Sequence, residues 1–357
     1  MDRDLEYIAS NQSYTNKDFQ SIFPELLDLT KKLTNKYDPQ LSNESDPLVV
    51  LYKLLAFIAD KNDYNIDKNV LETFPLSVTQ PGNARQLYDS LGYQPHWYRA
   101  ASMDLYFGLS SVNSSESTDT IISINNNPDY SVKIPAFTQF TDSDGKYVYS
   151  TIYDIEIPDS NTTRSTRALQ GNTVTYSLNG VEVITLNHLD ADLRLYFTDK
   201  FVAENGIFIG NVKNSDDTQV DSWYSWERVD NLESYELGKQ RYQFGVTTNG
   251  NACYIQFPQD IANLIGAGLR IKYISTSGLN GNVPARTIDT FYMSGNLQIT
   301  NTEETISTDA VTVTNLSSSY TGADPETLEE SYRNFKKTIG IFNTLVTLRD
   351  YDGAIYN

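Results

Sequence analysis

Two periods of apolar and polar residues divide the chain. In the first hundred residues apolar positions recur every three or four places, the rhythm of helices with one face turned inward. Phe19, Ile22, Phe23, Leu26, Leu29 and Leu33 keep this spacing. Their segment opens with Thr15 and Asp18, a capping-box pair, and carries Pro24, which is expected to kink or restart the turn. A second helix is predicted from Pro47, capped by Asp46, to about Thr73, a rod of about 40 Å at the helical rise. A third, over 83–91, is expected to stop at Gly92.

From Met103 the texture changes to short alternating runs between turn residues. MDLYFGL, TIISI, YSVKI, KYVYSTIY, TVTYSL, LRLYF, GIFIG, ACYIQF and LRIKYIS all read as strands. Asp-Gly, Asn-Gly and Asn-Asn-Asn-Pro turns separate them. The expected product is a mainly antiparallel β region reaching about Thr300, in one or two packed modules. After a polar stretch helices return. Asp324 is expected to cap PETLEESYRNFKKTI, with Leu328, Tyr332, Phe335 and Ile339 as one stripe. Thr347 and Asp350 then begin a further helix that the chain leaves unfinished. The fold class is therefore α+β and multidomain: a helical domain over 1–100 with one long helix, a β-rich region over 101–300, and a helical C-terminal segment over 301–357 that is expected to be incomplete.

The long helix carries an unusual seam. Leu48, Leu51, Leu55 and Ile58 step by three, four and three, and the same rhythm continues through Asn62, Asn65 and Asn69. On one reading these seven residues are the seam of an intersubunit helical bundle, since a 3-4 rhythm keeps one face on a partner helix. The asparagines would then fix register, because an unpaired buried amide costs about 1–3 kcal/mol. On the other reading a straight helix drifts off the seam, and Leu48, Tyr52, Leu55, Ala59, Ile66 and Val70 face the chain's own core. Asn65 and Asn69 would then lie in solvent. Both readings remain open at this point.

Charge and composition narrow the function. The formal net charge of -19 opposes binding to nucleic acid or anionic membrane, because phosphates would be repelled. It favours a soluble particle or a basic protein partner. With 39% hydrophobic and 12% aromatic residues the chain is globular. No secretory signal and no apolar run near bilayer length is read from the residues. The single cysteine, Cys253, excludes an internal disulfide framework, so folding in a cytoplasm is expected.

The chain is poor in the residue types that catalysis most often uses. Two histidines, His96 and His188, with one cysteine are too few for most zinc sites and limit any triad. DSDGK at 142–146 begins like a calcium loop, but Tyr147 and Tyr153 stand where glycine and glutamate are needed, so a hairpin turn is expected. No dinucleotide or phosphate-loop spacing occurs. The cluster WYSWERV, with Trp223, Tyr224 and Trp226, either stacks on sugar rings or is a strand burying alternate aromatics. The expectation is a protein without catalytic site, metal or cofactor.

Four segments, in order, resemble the baseplate J-like family, the wedge subunits of contractile phage tails and related injection machines. SDPLVVLYKLLAFIADKNDYNIDKNVLETF followed by ARQLYDSLGYQPHWYRAA is similar to that family's N-terminal helical region. VKIPAFTQFTDSDGKYVYST is like its strand pair, with Phe137 where glycine is usual. WERVDNL and YIQFPQDIANLIGAGLRIKYISTSGLNGNVPARTI follow a further pattern, with Pro258–Asp260 in place of a Gly-Asp-Gly turn. TGADPETLEESYRNFKKTIGIFNTLVTLRDY is close to the family's last motif, and the region that follows that motif in the family is missing. The resemblance implies a structural virion protein of the tail baseplate, assembled in a host cytoplasm. It implies pairing with a second copy of itself, contacts with other wedge subunits and with hub and sheath-proximal proteins, and transmission of the contraction trigger. The rival class is a tail-tip protein that binds carbohydrate or receptor through its β region.

Overall fold

The computed structural model describes residues 18–33, 47–110, 121, 124–213, 219–232, 237–247 and 250–338. The fold is α+β, with helices towards both ends and a mainly antiparallel β region between them. It divides into two compact units, Met1–Pro95 with Thr327–Asn357, and His96–Glu326. None of the described helices is long and apolar enough to cross a membrane.

The helical unit contains α1 (Phe19–Leu33), α2 (Pro47–Leu71) and α3 (Pro81–Ser90). Pro24 lies inside α1 without dividing it. Thr15 and Asp46, the expected capping residues, lie outside the described residues. Ile22 and Leu27 bury their side chains, whereas Leu29 and Leu33 of the expected stripe are exposed. Asp60 on α2 accepts the Phe19 N–H at 3.2 Å and so ties the start of α1 to α2. α3 opens with Pro81, the position where a missing N–H costs nothing, and ends before Gly92 at φ 85°. Here Glu72 replaces a conventional cap: its buried carboxylate accepts from the Thr79 and Gln80 N–H groups, the Thr79 hydroxyl and Asn83.

The β strands run in chain order. They are β1 (Ser102–Leu109), β2 (Val132–Ile134), β3 (Gln139–Thr141), β4 (Val148–Thr151), β5 (Ile155–Ile157), β6 (Arg164–Gln170), β7 (Asn172–Thr175), β8 (Arg194–Tyr196) and β9 (Val202–Asn211). Then come β10 (Glu227–Val229), β11 (Arg241–Val246), β12 (Cys253–Gln256), the short helix α4 (Ile261–Leu264) and β13 (Leu269–Ser275). β14 (Thr290–Phe291), β15 (Asn296–Ile299), β16 (Thr305–Ser307) and β17 (Val311–Asn315) complete the set.

These strands form four sheets around two large cores. One six-stranded sheet has the order β14-β3-β4-β6-β1-β17 and one four-stranded sheet the order β16-β15-β2-β5. Alternation along β1 turns Met103, Leu105, Phe107 and Leu109 inward onto Ile134, Phe140, Tyr149, Ile157 and Val313. The second core lies with the sheets β10-β11-β12-β8 and β7-β13-β9, where Leu269, Ile271 and Tyr273 of β13 join Ile209, Phe244, Ile255 and Trp226. Only the β10–β11 pairing among these sheets is parallel. A smaller cluster of Ala100, Ile152, Leu169, Ala203, Phe208 and Ile274 packs with Phe137 and Trp223.

Three expectations need correction. Of the stretch TIISI, read as a strand, the described residues Ile121 and Ile124 are helical and buried. The β region does not end near Thr300: TIS and VTVTN, within the segment read as helical, are β16 and β17, and β17 pairs along the whole outer half of β1. Asp324 does not cap the last helix, α5 (Leu328–Thr338). Thr327 and Glu330 form that capping box, with the Thr327 N–H donating to the Glu330 carboxylate at 3.0 Å and the Glu330 N–H to Thr327 Oγ1 at 3.3 Å. α5 belongs to the helical unit, where Phe335 stacks on Tyr88 at 4.5 Å. Ile339, Thr347 and Asp350 lie outside the described residues.

Candidate assembly surface

On α2 the residues turned toward the rest of the chain repeat every three to four positions. Val49 and Ala56 are fully buried, and Tyr52, Lys53, Ala59, Asp60, Asp63, Asp67 and Val70 are half-buried. All seven seam residues, Leu48, Leu51, Leu55, Ile58, Asn62, Asn65 and Asn69, are exposed. At 100° per residue they occupy one face, centred roughly 130° round the helix from the buried one. Leu51 is 48% and Ile58 54% exposed, and Val50, Leu54 and Phe57 widen the apolar face. The alternative set is split. Tyr52, Ala59 and Val70 do turn inward, but Leu48, Leu55 and Ile66 are exposed, so that set is not the helix's own buried face. The reason is small side chains. Val49 and Ala56 fill the buried side with little bulk, and the larger leucines lie on the other side of the helix.

The exposed face changes character along its length. Its first half, residues 48–58, presents leucine, isoleucine, valine and phenylalanine; its second half presents Asn62, Asn65 and Asn69 with Lys61 and Lys68. Monomeric proteins seldom expose a contiguous apolar stripe of this kind.

Short pieces of three of the resembling segments meet in the β unit. Asn282 Nδ2 donates to the Gly322 carbonyl at 2.9 Å, the Gly322 N–H returns to Asn282 Oδ1 at 3.2 Å, and the Leu279 N–H donates to Asp324 Oδ1 at 3.1 Å. Glycine is required at 278 and 322. Gly278 has φ 58° with the Asp324 carboxylate against it, and a Cβ on Gly322 would stand 2.8 Å from the Gly278 carbonyl. Nearby, the buried Glu204 accepts the Trp97 N–H at 3.0 Å and pairs with Arg99, and Arg228 lies 3.6 Å away. Thus HWYRAA, SGLNGN and TGAD, far apart in sequence, form one hydrogen-bonded node.

The residues considered for chemistry have local structural partners. His96 Nε2 lies 3.5 Å from Glu326, and its Nδ1 3.0 Å from the Trp97 carbonyl. His188 Nδ1 accepts the Thr185 N–H at 3.0 Å within a short 3-10 turn. Cys253 is buried, which pushes its thiol pKa up to about 12. Among the described residues no three His, Cys, Asp or Glu side chains are placed to hold a metal ion. DSDGK is the β3–β4 turn, with Gly145 at φ 70° and the Asp142 carboxylate accepting the Tyr147 N–H at 2.8 Å. The aromatic cluster divides: Trp226 is buried on Phe257 and donates to Asn211 Oδ1 at 2.6 Å, whereas Tyr224 is exposed. Sequence reasoning passed over Lys272, whose Nζ lies over the rings of Phe137 and Trp223 at 4.4 and 4.6 Å. Phe137 itself holds φ 68°, a conformation that costs a side-chain-bearing residue about 1–2 kcal/mol.

No protein family matches the chain, and no curated protein does. Among solved structures, a chain of the anti-feeding prophage (AFP) baseplate, a six-fold symmetrised cryo-EM structure, is similar over 93% of this chain and 57% of that one. The sequence identity is 13% and the TM-score 0.26. The present chain spans a little over half the length of that relative.

Proposed function

We propose that the protein is a structural, non-catalytic wedge subunit of the baseplate of a contractile phage tail or related injection machine. In this reading it pairs with a second copy of itself through the Leu48–Asn69 face of α2. It also contacts other wedge subunits and hub or sheath-proximal proteins, and it passes on the contraction trigger. The observation that carries the assembly role is the exposed face of α2, 25 residues long, apolar in its first half and asparagine-bearing in its second. A solvent-facing stripe of leucines is unfavourable in water and becomes favourable when a partner helix covers it. The asparagines restrict that cover to one register, because a slipped helix would bury unpaired amides. The baseplate setting is supported by the four ordered segments of resemblance and by the node that three of them build.

Immunogold labelling and mass spectrometry of purified tail particles test the setting. The expected result is this chain in the particle, with label at the distal end of a contractile tail. Label on fibre tips, together with binding of the purified chain to cell-wall glycan, would establish the receptor-binding role instead.

A further inference from the structure

The outward side of β13 carries a second surface, distinct from the helix seam. Alternation sends Leu269, Ile271 and Tyr273 into the core and leaves Arg270 and Lys272 on the opposite side. Arg270 is paired with Glu182. Lys272 is half-buried and has no hydrogen-bond or ion-pair partner among the described residues, only the two aromatic rings of Phe137 and Trp223. Burial, and then Arg270, push its pKa down, with Glu182 acting the other way. Beyond these rings the aromatic surface continues: Phe208 contacts Phe137 at 5.1 Å and Tyr224 at 6.0 Å, and Tyr224 meets Tyr153 at 4.9 Å. Tyr153 and Tyr224 are 49% and 42% exposed.

A half-buried ammonium without an anion is incomplete electrostatically, and in a chain of net charge -19 no shortage of carboxylates explains it. The rings hold the lysine by cation–π attraction while leaving its N–H donors unused. We propose that this aromatic-flanked lysine is the docking point for an acidic segment of a protein partner. A carboxylate of that segment pairs with Lys272, and its neighbouring residues pack on Trp223, Tyr224 and Tyr153. Interfaces concentrate their binding energy at such desolvated, aromatic-rimmed charges. A saccharide would need several free polar groups around the rings. Asp154, the carboxylate that acts on Tyr224, is already engaged by the Ala136 N–H at 2.6 Å and by Lys133 at 3.2 Å. Lys272 offers a single cation between flat rings, which suits one peptide carboxylate better than the spread hydroxyls of a sugar.

The test uses the isolated full chain, so it stands or falls separately from the presence of the protein in tail particles. The probe is fluorescein-labelled hexaglutamate, with hexaglutamine as the neutral control and polygalacturonate as the acidic glycan. Lysines are dimethylated with carbon-13, which preserves their charge and reports on Lys272 by NMR. Hexaglutamate is expected to shift the Lys272 signal. Lys272→Met should weaken binding about tenfold or more, and Lys272→Arg, which keeps the charge, should restore most of it. Trp223→Ala should weaken binding with Lys272 intact. Thermal midpoints of all variants check that the fold persists. Equal binding by wild type and Lys272→Met would overturn the proposal. A Lys272 shift with polygalacturonate but none with hexaglutamate would replace it with an acidic-glycan site.

Discussion

The two compact units spend their apolar residues differently. In the β unit the alternating runs put one face of large side chains inside: Leu105, Phe107, Phe140, Tyr149, Ile157 and Ile271 are all fully buried. In the helical unit the core is small, chiefly Val78, Ala84, Tyr88, Tyr93 and Phe335, while α2 keeps only Val49 and Ala56 fully inside. One unit is thus stabilised from within, and the other holds its apolar surface in reserve. That contrast predicts which substitutions unfold the protein and which, on the proposed reading, only stop it assembling.

The largest effect is expected in the β core. Phe107→Ala should cost about 3–5 kcal/mol, seen as a lower urea midpoint with faster hydrogen exchange in β1 and β17. A loss as small as that of a surface substitution would break the contrast at its stronger end. Next, Glu204→Gln removes the charge from a buried carboxylate that accepts the Trp97 N–H and pairs with Arg99, itself half-exposed, and is expected to cost about 1–3 kcal/mol by the same measurement.

Glu72 sharpens the comparison from the helical side. Burial alone would raise its pKa, but hydrogen bonds from Thr79, Gln80 and Asn83 outweigh burial and hold it below the ordinary glutamate value. A depressed folded-state pKa means that its stabilisation is complete above the unfolded-state value and lost as pH falls through the folded one. The helical signal by circular dichroism should therefore weaken at acid pH in the wild type. In Glu72→Gln that acid dependence should shrink, with about 1–3 kcal/mol lost at neutral pH.

The smallest effects on stability carry the most weight for function. Leu51→Ser with Leu55→Ser should change the stability of the isolated chain by no more than about 0.5 kcal/mol, since both residues are exposed, yet should abolish self-association in sedimentation experiments. Asn65→Leu should leave folding unchanged and produce off-register or larger assemblies. Unchanged assembly state and particle yield in Asn65→Leu would end the seam at Ile58.

Particular residues show how far the sequence could be read. The strands MDLYFGL and LRIKYIS were legible because alternation of large apolar and polar residues leaves one face for the core, and the structure places Phe107 and Ile271 there. The helix from Pro47 and the stop at Gly92 were legible from local chemistry, a proline at the first turn and a glycine free to take φ 85°. The strand VTVTN was passed over because its polar flanks resemble a linker, and only pairing with β1, some two hundred residues earlier, makes it a strand. Lys272 looked like an ordinary solvent-facing strand residue. Only the fold brings Phe137 and Trp223 to it from separate loops.

The residues in order along the chain therefore determined the helix–sheet–helix succession, the seam rhythm on α2 and the poverty of catalytic groups, since all of these follow from local period and residue type. Which face of α2 turns inward could not follow from period, because apolar residues surround the first half of that helix on nearly every side. Tertiary packing decided it: the side bearing Val49, Ala56 and Asp60, which holds the start of α1, turned inward, and the leucines were left outside. Asp324 shows the same rule, for a residue with the sequence of a helix cap binds the Leu279 N–H instead, once the fold places that donor within reach.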